Sequence, residues 1–277
     1  MAQARASTAI GDDAANLKIR DITVVDVMDA LRHGFEDFWE HPSHYAFAAM
    51  IYPVVMIVVG LWVSGQNVLP LLYPLASGFA LIGPFVALIF YEISRRAELG
   101  LDTSWKYGFE ALRSPALPAM LGVGLVLCVL FIAWLIVAQI LFTTLLGPEP
   151  PASLTAMLWR ILTTGEGWTL IVVGNLAGAA FALAVLSISV VSFPLMLDRH
   201  VGAGTAIETS IKATSLNTWP ILVWGVLIAI LIAVGMATLF LGLVIIMPAL
   251  GHASWHLYRK MVVPPPDRTV RTRRAAT

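Results

Sequence analysis

The sequence predicts an all-α fold, a polytopic membrane bundle of six transmembrane helices. Of its 277 residues, 58% are hydrophobic and only 12% are charged, whereas a soluble domain carries roughly 25% charged residues. The apolar residues are also concentrated in runs of twenty and more. A helix of about 20 apolar residues spans a hydrocarbon core about 30 Å thick. Composition and pattern together therefore indicate a protein that crosses the membrane several times.

The spans follow one another along the chain. Four of them lie at about 45–65, 69–93, 117–146 and 168–197. The remaining apolar run, 219–261, would extend about 64 Å as one helix, which is about two bilayer cores. We therefore expect a hairpin of two spans that turns near Gly242, with one long span as the alternative. In the loop 147–168, Leu154 and Leu158 share a helical face, so a short interfacial helix is expected there.

The basic residues test this count of spans. With the amino terminus inside, sixteen of the seventeen Lys and Arg residues fall on the inner side, and only Arg160 lies outside. Cytoplasmic segments of membrane proteins carry such an excess of Lys and Arg. An odd number of spans would scatter these charges, so six spans with both termini in the cytoplasm are predicted. The formal net charge of zero points to no nucleic-acid partner, and the single cysteine, Cys128, excludes an intramolecular disulfide.

Three segments on the predicted cytoplasmic side resemble one another. They cover 31–42, 105–118 and 207–220. In an ungapped alignment, apolar residues recur at i, i+4 and i+7 on one helical face, and a small residue occupies a shared position next to it. The apolar residues of the three faces are Leu31, Phe35 and Phe38, then Trp105, Phe109 and Leu112, then Ile207 and Ile211, and the small residues are Gly34, Gly108 and Ser210. The third helix is expected to begin with a capping box of Thr205 and Glu208.

These segments define three pseudo-repeats, each a cytoplasmic amphipathic helix followed by a transmembrane hairpin. The helix ends 84–96 and 248–260 match position by position, with Pro84 opposite Pro248. The units lie at about 22–96, 102–199 and 204–262, within one membrane domain that covers 22–262; residues 1–21 and 263–277 are expected to be disordered cytoplasmic tails, the second one basic. The amphipathic helices are predicted to bury their apolar faces at the lipid headgroups. A docking surface for a partner is the alternative.

A group of polar and charged residues is predicted near the inner ends of the second and sixth spans. Its members are Glu92, Arg95, Arg96, His252 and His256. In the alignment His256 falls opposite Glu92, which can pair with Arg95 or Arg96 along its own helix. Trp255 and Tyr258, beside the histidines, are predicted to be aromatic-belt residues at the membrane surface.

Two histidines four residues apart share a helical face and raise the alternative of a metal or haem site. A catalytic zinc takes three protein ligands, and a haem held from two helices needs a second deep ligand. The other histidines all fall in cytoplasmic or interfacial segments. We therefore predict no metal and no cofactor, and interpret the deeper histidine, His252, as a residue that faces the protein interior and hydrogen-bonds a neighbour.

The motifs give no support to catalysis or active transport. The sequence has no phosphate-cradling glycine loop, nucleophile elbow or metalloprotease motif, so no enzymatic activity is predicted. No Asp, Glu, Lys or Arg lies near the middle of a span, where ion-coupled transporters usually place such a group. Pro84, Pro194 and Pro248 are expected to bend three of the spans.

Three motifs carry a resemblance to a known family. They are the helix end P-x10-R-R at 84–96, the following ELGLDTSW, and above all MPALGHASWHLYRK at 247–260. With them, the sequence from about Arg32 to Arg259 resembles the bacterial integral-membrane family called domain of unknown function 2189. The resemblance implies a multi-pass protein of the bacterial inner membrane. Some members are labelled as cytochrome c oxidase subunits, but an oxidase catalytic core needs several deep histidines, and only His252 is deep here.

The function expected from these observations is an accessory or assembly role beside another membrane protein complex, with the lipid bilayer as the second partner. The lack of catalytic motifs and the amphipathic helices on the cytoplasmic face favour it. One alternative is a small-molecule or lipid transporter or channel, whose proline-bent spans would surround a cavity. A second is a haem- or metal-binding redox subunit that uses His252 and His256.

Overall fold

The computed structural model describes residues 17–41, 72–149, 153–238 and 241–263. Nearly all of these residues are helical, and their only β pairing is one isolated antiparallel bridge between Ile19 and Val262. The all-α prediction is therefore confirmed. The first predicted span, 45–65, and most of both predicted tails lie outside the described residues.

The helices of the described ranges follow the predicted order of segments. They are α1 (Val24–Glu40), α2 (Leu72–Glu98), a 3₁₀ helix (Trp105–Arg113), α3 (Leu117–Leu146), α4 (Leu154–Thr163), α5 (Gly165–Ser189), α6 (Ser192–Arg199), α7 (Ala203–Leu216), α8 (Thr218–Ala237) and α9 (Leu243–Met261). Three stretches are long and apolar enough to cross a membrane: Leu117–Leu146, Gly165–Arg199 and Thr218–Ala237. They coincide with the third, fourth and fifth predicted spans, so the described part of the chain has several candidate spans.

The apolar run 219–261, which is too long for one span, is divided into α8 and α9 near Gly242, as predicted. Thr238 Oγ1 donates to the Gly235 carbonyl and accepts from the Gly242 N–H, each at 2.8 Å. The turn is tight, because a Cβ at Gly235 would lie 2.4 Å from Cδ2 of Leu243 and one at Gly242 would lie 2.6 Å from Thr238 Oγ1. Small residues at these two positions therefore let the helices approach closely where the chain reverses.

The fourth span is interrupted between α5 and α6, near the predicted proline bend. Pro194 has no N–H to donate to the carbonyl of Val190, so the regular hydrogen-bond ladder cannot continue through this point. The backbone N–H of Val191 instead donates to the hydroxyl of Ser210 on α7, at 3.1 Å. Pro84 and Pro248 lie inside α2 and α9, which continue past them.

Two local predictions about the surface helices are wrong. The helix α7 begins at Ala203, two residues before Thr205, and its N-cap Gly202 makes no side-chain bond. The capping box predicted for Thr205 and Glu208 is therefore absent, whereas a capping box that was not predicted, Thr23 with Asp26, begins α1. Serine and threonine often occur inside helices as well as at their starts, so spacing alone did not identify the N-cap.

The second surface helix is a 3₁₀ helix rather than an α-helix. It repeats every three residues, so Phe109 and Leu112 share one row, while Gly108 and Ala111 form the buried row beside it. The α-helical period assumed for this segment is therefore wrong, although Trp105, Phe109 and Leu112 are all exposed and the rings of Trp105 and Phe109 lie 6.1 Å apart.

The C-terminal half of α9 lies at the centre of the described core. Its fully buried side chains are Ala253, Trp255, Leu257, Tyr258 and Met261. The helix α1 packs along this half of α9. Gly34 makes the close packing possible, because a Cβ at Gly34 would lie 2.5 Å from the Cβ of Ala253. Packing at this end of the molecule therefore brings α1, α2 and α9 together.

Candidate functional site

The two histidines of α9 face a carboxylate that comes from the other end of the sequence. His252 is fully buried, and His256 lies one turn further along the same face. The Nε2 atom of His256 is 2.9 Å from Oδ2 of Asp37 on α1. Ser94 on α2 donates to the same Oδ2 at 2.5 Å, and its hydroxyl is 2.7 Å from Nδ1 of His252. These four residues, called here the Asp37 cluster, join three helices.

The protonation pattern of the Asp37 cluster follows from its geometry. Burial raises the pKa of Asp37, but hydrogen bonds from His256 and Ser94 and the charges of the two histidines outweigh burial and lower that pKa. Asp37 is therefore ionised at neutral pH and accepts hydrogen bonds. Because the single proton of the Ser94 hydroxyl points to Asp37, the contact between Ser94 and His252 requires Nδ1 of His252 to donate.

The cluster contains a serine, a histidine and an aspartate, but not in the order that activates a nucleophile. In a catalytic triad one histidine nitrogen takes the serine proton, and the aspartate binds the other nitrogen. Here Ser94 and Asp37 lie at the same nitrogen of His252, since Asp37 Oδ2 is 3.7 Å from Nδ1. Ser94 and His252 are also buried. The arrangement suits hydrogen bonds that hold α1, α2 and α9 together.

The described residues do not assemble a metal site. In the ranges that the structure covers, no three or more His, Cys, Asp or Glu side chains come close enough to hold an ion. The helical spacing does bring His252 and His256 to one face, as predicted, and each directs a ring nitrogen to the Asp37 cluster.

The other three predicted residues form a separate group at the end of α2. Glu92 is buried and accepts two hydrogen bonds of 2.8 Å from Arg95, which confirms the predicted pairing along the helix. Arg96 is 3.9 Å from Glu92 but pairs more closely, at 3.0 Å, with Glu110 of the 3₁₀ helix. Arg96 also donates to the carbonyl of Asp102 at 2.7 Å. This group attaches the 3₁₀ helix to α2.

The aromatic residues beside the histidines are not belt residues, so that prediction is wrong. Both Trp255 and Tyr258 are fully buried. Trp255 donates to Glu98 of α2 at 3.1 Å, and Tyr258 donates to Asp198 of α6 at 2.6 Å. Arg259 lies within ion-pair distance of both acids, at 3.1 and 3.6 Å. The polar atoms that would otherwise reach headgroups are used in contacts with other helices.

The predicted apolar faces of the surface helices differ in what they contact. On α1, Phe38 is buried and Leu31 and Phe35 are half-buried, so this face packs on the protein. The residues on the second and third helices are more open: Trp105, Phe109, Leu112 and Ile211 are exposed, and Ile207 is half-buried. The prediction of a face open to lipid therefore fits the second helix better than the first.

Sequence reasoning missed the acidic residues that hold the site. Asp37 and His256 are separated by 219 residues, so no local spacing connects them. Asp198 lies at the end of the fourth predicted span beside Arg199, and this sequence context is that of an ordinary surface charge. The one available signal was indirect: a buried histidine needs a hydrogen-bond partner, and Asp37 lies on the predicted surface helix next to Phe38.

One family model matches the chain. Its description is "Predicted integral membrane protein", domain of unknown function 2189, and it covers residues 72–198. The matched range contains the P-x10-R-R helix end and ELGLDTSW, whereas the C-terminal motif MPALGHASWHLYRK lies outside it. No curated protein and no solved structure shows a significant match. Over residues 72–198 the chain therefore matches this family of integral membrane proteins, which confirms the resemblance over those residues.

Proposed function

We propose that the protein is a non-enzymatic accessory or assembly partner of another complex in the bacterial inner membrane. Its charged and polar side chains at the inner end of the bundle are engaged in joining helices. The order of Ser94, His252 and Asp37 and the burial of this cluster support a structural role for it. An interaction surface must then lie elsewhere, on exposed helices.

The exposed face of α1 is the observation that carries the proposal. One side of α1 packs on α9 through Val27, Ala30, Gly34 and Phe38. On the other side Val25, Met28 and Trp39 are 76%, 48% and 73% exposed, with Arg32 between them. Aromatic residues, Met and Arg are enriched at protein–protein interfaces. We name Val25, Met28, Arg32 and Trp39 the outer face of α1.

The topology within the proposal is six spans with both termini in the cytoplasm. Supporting contacts join the two ends of the predicted domain: the Arg20 N–H donates to the Met261 carbonyl at 2.8 Å, and the Val263 N–H donates to the Lys18 carbonyl at 3.0 Å. Chain ends that pair in this way lie on the same side of the bundle, as an even number of spans requires.

The three-unit organisation is also part of the proposal. The small residue of each surface helix packs against another helix of the bundle. A Cβ at Gly108 would be 2.4 Å from Ile89 on α2, and one at Gly34 would be 2.5 Å from Ala253 on α9. Ile89 and Ala253 are equivalent positions in the alignment of 84–96 with 248–260. Ser210, the third small residue, bonds to Val191 of the fourth span. These contacts support three related units in which the last span supports the first surface helix.

Site-specific photo-crosslinking in intact membranes tests the proposed partner. A photoreactive residue replaces Met28 on the outer face of α1 or, as a control, the exposed Leu216 on α7. We expect one defined membrane-protein adduct from position 28 and none from position 216. Trp39→Ala should reduce the adduct about fivefold, the effect of losing roughly 1 kcal/mol at an interface. A protein that crosslinks only to lipid at position 28, and emerges alone from mild detergent, would contradict the proposal.

A further inference from the structure

The 3₁₀ helix lies at the boundary of a membrane span. It ends at Arg113, and the candidate span Leu117–Leu146 begins four residues later. Four residues of extended chain reach at most about 14 Å, so the helix cannot be far from the headgroup layer. It is also fixed in place on the inner end of α2, because Gly108 packs against Ile89 and Arg96 pairs with Glu110.

A shallow cavity of about 240 Å³ opens on this helix. The residues that line it are Lys106, Tyr107, Phe109, Glu110 and Arg113. Glu110 is already neutralised by Arg96 at 3.0 Å. Neither Lys106 nor Arg113 has an ion-pair partner in the part of the chain that the structure describes, although Lys106 lies 4.9 Å from the ring centroid of Tyr107. The cavity therefore carries two cationic groups that no carboxylate of the described residues neutralises.

Apolar side chains surround these charges on the exposed side of the helix. Trp105, Phe109 and Leu112 are 47%, 36% and 46% exposed. Exposed aromatic residues next to Lys and Arg are typical of segments that lie in the membrane interface, where the rings contact glycerol and acyl groups and the cations contact phosphates. A soluble anion would need the charges alone and would leave this apolar surface unexplained.

We propose that the cavity binds the phosphate headgroup of an anionic phospholipid in the leaflet next to the 3₁₀ helix. Lys106 and Arg113 supply the charge that selects an anionic over a zwitterionic lipid. Phe109 lines the cavity and, with Trp105 and Leu112 beside it, contacts the lipid below its phosphate. Because the helix is attached to α2 and is joined to α3 by the short turn 114–116, a bound lipid would connect two spans of the bundle.

Native mass spectrometry of the full-length protein in mild detergent tests this inference. Phosphatidylglycerol and phosphatidylcholine are added separately, and the bound fraction is measured for each. The test variant is Lys106→Gln/Arg113→Gln. The matched control is Arg160→Gln/Lys212→Gln, which removes the same number of exposed positive charges from outside the cavity.

The wild type should retain phosphatidylglycerol more strongly than phosphatidylcholine. A basic residue near an anionic surface contributes about fivefold to binding, so the test variant should lose most of this preference while the control keeps it. Equal retention of phosphatidylglycerol by the test variant, or loss of the preference in the control as well, would overturn the proposal. Displacement of the lipid by millimolar inorganic phosphate would overturn the lipid assignment and identify a site for soluble phosphate.

Discussion

A single carboxylate oxygen, Oδ2 of Asp37, receives contacts from two other helices. Ser94 of α2 and His256 of α9 are within hydrogen-bond distance, and His252 of α9 is 3.7 Å away. Each of these residues is buried or largely buried. A charge in such surroundings is stabilising only while all its partners are present, because a buried polar group without a partner costs free energy.

Asp37→Asn should therefore destabilise the protein. The amide oxygen can take the place of Oδ2, but the negative charge that strengthens the hydrogen bonds from Ser94 and His256 is lost. We expect the free energy of unfolding to fall by about 1–3 kcal/mol, seen as a lower midpoint of thermal unfolding in detergent. Glu40→Gln, an exposed acid on the same helix, is the control and should unfold like the wild type. An unchanged midpoint for Asp37→Asn would show that the cluster does not hold α1.

The same carboxylate predicts a dependence on pH. Its pKa in the folded protein lies below 3.8, the ordinary value for an aspartate. Ionisation of Asp37 thus contributes stability that is fully present above about pH 4 and is lost as the pH falls through the folded value. The difference in unfolding midpoint between wild type and Asp37→Asn should therefore shrink as the pH falls below 4. A difference that stays the same below pH 4 would show that ionisation of Asp37 is not its source.

At the scale of the helix, the close approach of α1 to α9 depends on Gly34. A Cβ at this position would lie 2.4 Å from the Ala249 carbonyl oxygen and 2.5 Å from the Ala253 Cβ. These atoms belong to a buried helix and cannot move aside, so Gly34→Ala must separate the two helices. Overpacking of this kind costs about 1–3 kcal/mol.

Gly174→Ala on α5 provides a matched control for that substitution. A Cβ at Gly174 would have no neighbour within 4 Å, and alanine is the better helix former by about 0.5–1 kcal/mol. Thermal unfolding should therefore show Gly34→Ala less stable than wild type and Gly174→Ala equal to it or more stable. Equal midpoints for the two variants would contradict the packing of α1 against α9.

Helix starts and contacts between helices differed in how well the sequence predicted them. The reversal near Gly242 followed from a length argument, and the break before Pro194 followed from the missing N–H of proline. Both signals are local. The predictions of a capped start for α7 at Thr205 and of an α-helical period for Trp105–Arg113 were wrong, because similar sequence patterns fit more than one backbone geometry. The Asp37 cluster could not be predicted, since its contacts depend on how distant helices pack.

At the scale of the whole molecule, Asn217 helps to fix the amino-terminal segment against the C-terminal helices. Its side-chain oxygen accepts from the Ile22 N–H at 2.7 Å, and its amide donates to the Arg20 carbonyl at 3.1 Å. Together with the Ile19–Val262 bridge, these bonds place the start of α1 beside the end of α9 and the junction of α7 with α8. The topology proposed above, with both termini on one side of the membrane, requires such a contact between the two ends of the domain.

Cysteine labelling tests that topology. In a Cys128→Ser background, which removes the only native thiol, the variants Lys18→Cys, Arg160→Cys and Lys212→Cys each place a thiol at an exposed position. Because basic residues concentrate on the cytoplasmic side, a membrane-impermeant maleimide added to spheroplasts should label only Arg160→Cys. The other two should react after the membrane is permeabilised. External labelling of Lys18→Cys alone would place the amino terminus outside and exclude six spans with both termini in the cytoplasm. External labelling of Lys212→Cys would place the third surface helix outside and contradict the three-unit organisation, in which all three surface helices are cytoplasmic.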